Sequence, residues 1–217
     1  MLSRRSFTPA ALALFALFVV VSVLVMLNLT LPRDVAILEW MGAIRRPWLT
    51  ETMLLFTFIG SGEIELPLAI LIGYLLWRLG RAQCARRFVL AALSAELLYI
   101  ILKAAFQRER PRIIERLADA GWFSYPSGHA MLAPVIYGFG LLLLARSVPH
   151  RGARWLLLLL AMTIPLLIAL SRVYLGVHYP SDVVGALCLG TGWLLLWTEV
   201  PAARSSSDET SSLAAIR

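Results

Sequence analysis

Charge is scarce in this 217-residue chain. Only 15% of its residues are Asp, Glu, Lys or Arg, against roughly 25% in soluble domains, while 59% are hydrophobic and the mean hydropathy is +0.78. That shortage excludes an ordinary soluble domain and implies a lipid-embedded one. Cysteine is nearly absent: Cys84, in a predicted cytoplasmic loop, and Cys188, inside a predicted helix, supply neither a disulfide framework nor metal-ligand spacing. There are three histidines, no H-E-x-x-H and no cluster of carboxylates to hold a metal. No internal repeat is present, and the length fits one compact domain. The net charge of +7 does not point to nucleic acid, because the basic residues stand in short loops between apolar runs, where membrane topology accounts for them.

Six apolar stretches are long enough to read as membrane spans. They are Ala10–Leu29, Ile64–Trp77 with a backward extension through Leu54–Ile59, Phe88–Phe106, Gly128–Ala145, Trp155–Leu170 and Val183–Trp197. Between the first two, Asp34–Thr50 mixes charges with Trp40 and Trp48, as an interfacial helix does. The expected fold is all-α: a six-transmembrane-helix bundle over residues 1–200, with an interfacial helix and a polar site at the outer membrane face. Residues 201–217 read as a disordered polar cytoplasmic tail. The first apolar run is too long for a signal-peptide core and lacks a small-residue cleavage pattern, so it reads as an uncleaved span held inside by Arg4 and Arg5. Eleven basic residues then fall on the cytoplasmic side and nine outside, or six once Lys103, Arg110 and Arg172 are set aside. This orientation describes a multi-pass protein of the cell (inner) membrane.

What charge there is gathers in three blocks at the mouths of these spans. In Lys103–Pro111 (KAAFQRERP), Lys103 and Arg110 are seven residues apart, which would place both on one helix face, with Pro111 ending the helix. Arg offers a planar fork to phosphate oxygens and Lys a compact charge; taken alone, the same residues read as headgroup anchors. Pro126-Ser127-Gly128-His129 opens the fourth span, where Gly admits a ligand to the backbone and the first helical N–H groups attract an anion. An ordinary turn with Ser127 as N-cap is the competing reading. In Ser171–Asp182 (SRVYLGVHYPSD), His178 and Asp182 are four residues apart. A carboxylate there would orient the ring and leave its other nitrogen free to attack, although Pro180 disfavours a regular helix across the gap. Asp182 as the N-cap of the sixth span is the alternative.

Together, K-x6-R-P, P-S-G-H and S-R-x5-H-x3-D resemble the type 2 phosphatidic acid phosphatase superfamily, whose integral-membrane members have six helices. The resemblance implies that Lys103, Arg110 and Arg172 bind a phosphate with help from Ser127 and the Gly128 N–H. It implies that His178 is a nucleophile forming a phosphohistidine, that Asp182 orients it, and that His129 protonates the leaving oxygen. It implies no metal and no cofactor, since three cations meet the charge on the equatorial oxygens. The expected partners are a membrane lipid phosphate and the bilayer, with no nucleic acid and no obligate protein partner. Phosphatidylglycerophosphate, undecaprenyl diphosphate and phosphatidic acid are the candidate substrates. A lipid phosphotransferase of the same fold, or a non-catalytic anion or lipid transporter, are the alternatives; the transporter leaves the histidine pair unused.

The remaining charges read more plainly. Glu96 is expected to make an interhelical hydrogen bond, and Glu63 and Glu65 to meet water at a span edge. Arg108, Arg112 and Arg116 surround the first block and either draw in an anionic headgroup or anchor the interface. Trp122 and Phe123 resemble an interfacial aromatic belt.

Overall fold

The computed structural model describes residues 7–199, so Arg4, Arg5 and the tail from Pro201 lie outside the described residues. All regular structure in that range is helical. Helix α1 (Thr8–Met26) ends where Asn28 adopts φ 58°, and the Leu29 N–H returns to the Leu24 carbonyl at 2.9 Å. This left-handed stop closes the last turn. Then follow α2 (Leu31–Ala43), α3 (Pro47–Ile59), α4 (Gly62–Arg78) and α5 (Ala82–Phe106). The next crossing joins α6 (Gly128–Ala133), a π-helical turn (Pro134–Phe139) and α7 (Gly140–Ala145), and α8 (Arg151–Tyr174) and α9 (Pro180–Glu199) complete the chain.

Five of these crossings are long and apolar enough to span a membrane, and α3 with α4 makes a sixth as one span bent by 51°. The chain is an integral membrane protein of all-helical fold, as its hydropathy implies. Leucine, valine and tryptophan side chains stay exposed on α1, α4, α5 and α8, where lipid replaces water as solvent. The α6–α7 crossing is the most enclosed, with α8 and α9 packed against it and α1 lying along α9.

Four expectations need correction. The interfacial segment Asp34–Thr50 is not one helix: α2 stops at Ala43, and Pro47 starts the outer half of the second span. That span breaks after Ile59, whose freed carbonyl accepts from the Tyr137 hydroxyl at 2.6 Å, so the bend leaves no orphan acceptor in lipid. Cys84 belongs to α5, not to a loop. Finally, α5 ends at Phe106 because Gln107 turns left-handed at φ 48°. Arg110 therefore lies beyond the helix rather than on a face shared with Lys103, and Pro111 is not what stops it.

Candidate active site

Three short segments deliver the polar groups to one end of the bundle. The first is the end of α8. Gly176, at φ 73°, closes that helix, with the Val177 N–H on the Arg172 carbonyl at 3.2 Å and the His178 N–H on the same oxygen at 3.3 Å. A left-handed residue here favours glycine. The closure folds the chain back so that His178 stands over Arg172, which explains the physical sense of the S-R-x5-H spacing.

His178 is 1% exposed and Asp182 wholly buried. Helix α9 begins at Pro180, so the proline falls in the first turn, where its missing N–H costs nothing. Asp182 in that turn accepts from the Tyr179 N–H at 2.9 Å, through Oδ2, as the acidic residue of a capping box does. The same Oδ2 lies 3.4 Å from His178 Nδ1 and accepts from Ser124 Oγ. On the ring's far side, Arg110 Nη1 stands 3.0 Å from His178 Nε2. A guanidinium can only donate, so Nε2 carries the lone pair and Nδ1 the proton.

Arg110 itself is held by backbone. Its Nε and Nη2 donate to the Gly121 carbonyl, Nε also to that of Trp122, and Nη1 to that of Val177 at 2.7 Å. The fork is thus placed by the loop between α5 and α6 and by the His178 turn at once. Arg172, 4% exposed, donates through Nη1 to Thr57 Oγ1 on α3, while its Nε has no hydrogen-bond partner. Lys103 is buried at the end of α5, with Nζ donating to the Tyr99 hydroxyl at 2.9 Å.

Burial and then the charges of Arg172, Arg110 and Lys103 hold the His178 imidazole well below its ordinary pKa, and burial pushes Arg110 down as well. His129, in the first turn of α6, lies within electrostatic range of Arg172, His178 and Lys103. Ser127 precedes that helix with extended backbone angles, but its hydroxyl makes no cap; Oγ is fully buried without a partner. Ser127 Oγ and Arg172 Nε are therefore donors with nothing to bond to, and buried polar groups in that condition call for an explanation. A Cβ on Gly128 would stand 2.7 Å from the Tyr99 ring, so only glycine lets α6 begin this close to the lysine-bearing helix.

The eight motif residues thus gather at one end of the bundle, with His178 and Asp182 in direct contact. Four partners escaped the sequence reading. Asp34 of α2 accepts from Ser181 N at 2.9 Å and Ser181 Oγ at 2.6 Å, and pairs with Arg108 at 3.0 Å. Arg108 bridges Asp34 to Asp182 Oδ1, 2.5 Å away, and stacks on Tyr179. It is an internal strut, not an interface anchor. Ser124 and Thr57 complete the shell. They lie 58 and 115 positions from their partners, and no local signal marks them. Arg112 and Arg116 stay outside, the first exposed beside Glu109 and the second on the Pro111 carbonyl. Glu63 is exposed, but Glu65 is only 3% exposed and does not meet water. Among the described residues no hydrogen bond forms to Glu96, contrary to its expected interhelical role.

Known proteins are similar to this chain in sequence and fold. The profile of the PAP2 superfamily matches residues 85–206. Phosphatidylglycerophosphatase B of Bacillus subtilis is 31% identical over 179 residues, 82% of this chain and 88% of that protein. The crystal structure of a transmembrane PAP2 type phosphatidylglycerolphosphate phosphatase from Bacillus subtilis superposes with a TM-score of 0.81 at 30% identity, covering 92% of this chain and 96% of that one. Lipid A 1-phosphatase of Rhizobium etli is 32% identical over 120 residues, half of this chain and 46% of its own length. The chain belongs to the PAP2 superfamily.

Proposed function

We propose that the protein is a lipid phosphate phosphohydrolase working through a phosphohistidine, with phosphatidylglycerophosphate as its leading substrate and undecaprenyl diphosphate as the next candidate. The observation that carries this reading is the orientation of His178: Nδ1 addresses Asp182 at 3.4 Å while Nε2 faces the Arg110 guanidinium at 3.0 Å. The nucleophilic lone pair therefore points to where cations would gather a phosphate. Lys103, Arg110 and Arg172 bind the oxygens, and Ser127 Oγ, Arg172 Nε and the Gly128 N–H supply further donors.

In the first step Nε2 forms a bond to phosphorus as the P–O bond to the lipid breaks, and His129 gives its proton to the departing oxygen. Asp182 stabilises the positive charge arising on the His178 ring. In the second step water attacks phosphorus, His129 takes its proton, and the N–P bond breaks to release inorganic phosphate. The fixed cations offset the charge on the equatorial oxygens, so the reaction proceeds without a metal. The likeness to phosphatidylglycerophosphatase B over most of both chains favours the first substrate. Two crossings separate the α5–α6 and α8–α9 connections, which supports a common side for both, and the basic-residue asymmetry favours the extracytoplasmic one.

The test is phosphate release by the purified protein from a panel of lipid phosphates, in EDTA, with acid-labile phosphate trapped on the protein by rapid quench. The wild type should release phosphate and carry label; His178→Ala should do neither while retaining its fold. Turnover of His178→Ala within a few-fold of wild type removes the nucleophile assignment, and loss of activity in EDTA that a divalent ion restores removes metal independence.

A further inference from the structure

Beneath the phosphate pocket, between α4 and α5, lies a cavity of about 380 Å3. Its walls are apolar, with Leu66, Leu93 and Leu132 among them, apart from two carboxyl groups, Glu65 and Glu96. No basic side chain lines it. Three elements connect it to the catalytic groups. Glu96 is two turns from Lys103 on α5, Leu132 is one turn beyond Gly128 on α6, and Gly62 is two residues past Gly60, where an added Cβ would stand 3.2 Å from His129.

Neither glutamate has a part in the chemistry above. Glu65 is 3% exposed, and its Oε1 has no hydrogen-bond partner. Ionisable side chains inside a bilayer are costly and persist where they serve a ligand or a partner. Glu65 Oε1 is without a hydrogen-bond partner, Glu96 is exposed and within electrostatic range of Lys103, and both line the same cavity.

We propose that Glu65 and Glu96 form a recognition site for the ester-linked glycerol backbone of a diacylglycerol lipid whose terminal phosphate occupies the pocket above. The inference rests on the lipid-phosphatase reading and narrows its substrate class. A protonated carboxyl group offers an O–H donor as well as acceptors, and ester carbonyls are acceptors. A polyprenyl chain presents only hydrocarbon at that level. The seven residues from Glu96 to Lys103 span about 10 Å of helix. In phosphatidylglycerophosphate a glycerophosphate spacer separates the terminal phosphate from the acyl esters, and its extended length bridges that distance.

The experiment compares kcat/KM for a diacyl phosphatidylglycerophosphate, its dialkyl ether analogue without carbonyls, and a polyprenyl diphosphate, all in the same vesicles with the intact protein. The wild type is expected to favour ester over ether by about tenfold, the ratio that one net hydrogen bond confers. Glu65→Leu and Glu96→Leu should bring that ratio close to one while leaving polyprenyl diphosphate turnover within about twofold, a difference too small to represent a lost hydrogen bond. Glu65→Gln, which can still donate and accept, should retain the preference. An ester-to-ether ratio near one in the wild type, or one unchanged in both leucine variants, overturns the site. If the wild type hydrolyses none of the three, the functional reading fails. Native mass spectrometry of bound ester and ether lipids then decides the site separately: equal binding of the two overturns it.

Discussion

On the proposed mechanism, protonation decides whether His178 can attack. Burial and the charges of Arg172, Arg110 and Lys103 lower its pKa well below the ordinary value, which for a free imidazole is about 6.5. The attacking form is neutral, so activity is present above the folded-state pKa and is lost as pH falls through it. The acid limb of kcat/KM should therefore lie below the usual histidine range; a limb at or above that range would contradict the environment described. The Asp182 side is equally specific. Arg108 is shared between Asp182 and Asp34; burial alone would lower its pKa, and the two carboxylates outweigh burial and raise it. Asp34→Asn preserves an oxygen for the Ser181 N–H but leaves Arg108 to pull on Asp182 alone. We expect kcat to fall roughly tenfold, in line with loss of a charge-assisted hydrogen bond, with KM changed by less than about twofold. Steady-state kinetics on the folded variant checks this, and an unchanged kcat would mean that the strut does not bear on the nucleophile.

At the scale of elements, the spans were legible because a bilayer demands long apolar runs, and the motif residues because charge is conspicuous among them. What escaped has a common cause. The two halves of the second crossing are legible as one apolar stretch; what the sequence leaves open is the 51° bend at Gly60-Ser61-Gly62 and the Tyr137 hydroxyl, 78 positions away, that donates to the Ile59 carbonyl there. Gln107 gives no hint of a left-handed stop, so the helix was expected to run on to Pro111. Asp34, Ser124 and Thr57 act through space from other elements, and periodicity carries no information about that. Gly128 is the reverse case, a motif residue whose packing reason is visible only in three dimensions. Gly128→Ala would drive a methyl group to 2.7 Å from the Tyr99 ring, which holds Lys103. Displacing that lysine by about 1 Å should lower kcat/KM on the order of a hundredfold, with a modest fall in Tm typical of overpacking. Wild-type rates in that variant would mean the α5–α6 approach is not what sets the pocket.

Across the whole molecule, the proposed extracytoplasmic site is tested by labelling. In a protein whose Cys84 and Cys188 are changed to serine, Asp119→Cys, in the exposed loop between α5 and α6, should react with a membrane-impermeant thiol reagent on intact cells. Arg151→Cys, at the start of α8 on the opposite side, should react only after the membrane is opened. The reverse pattern would turn the site to the cytoplasm, and labelling of both from one side would break the six-crossing arrangement.

The packing of α1 along α9 joins the first and the last of the described helices. Chains are synthesised from the N-terminus, so α1 waits in the membrane for its neighbour while the crossings between them are inserted. Asp182 arrives on that final helix, as do Ser181, which anchors Asp34, and the wall against which the PSGH helix rests. Until the ribosome has delivered α9, the cations can be in place and the histidine exposed to them, but the ring has no carboxylate to set its tautomer. On the proposed mechanism, assembly of the nucleophile is thereby tied to delivery of α9: a chain interrupted before that helix would hold His178 without the carboxylate that orients it.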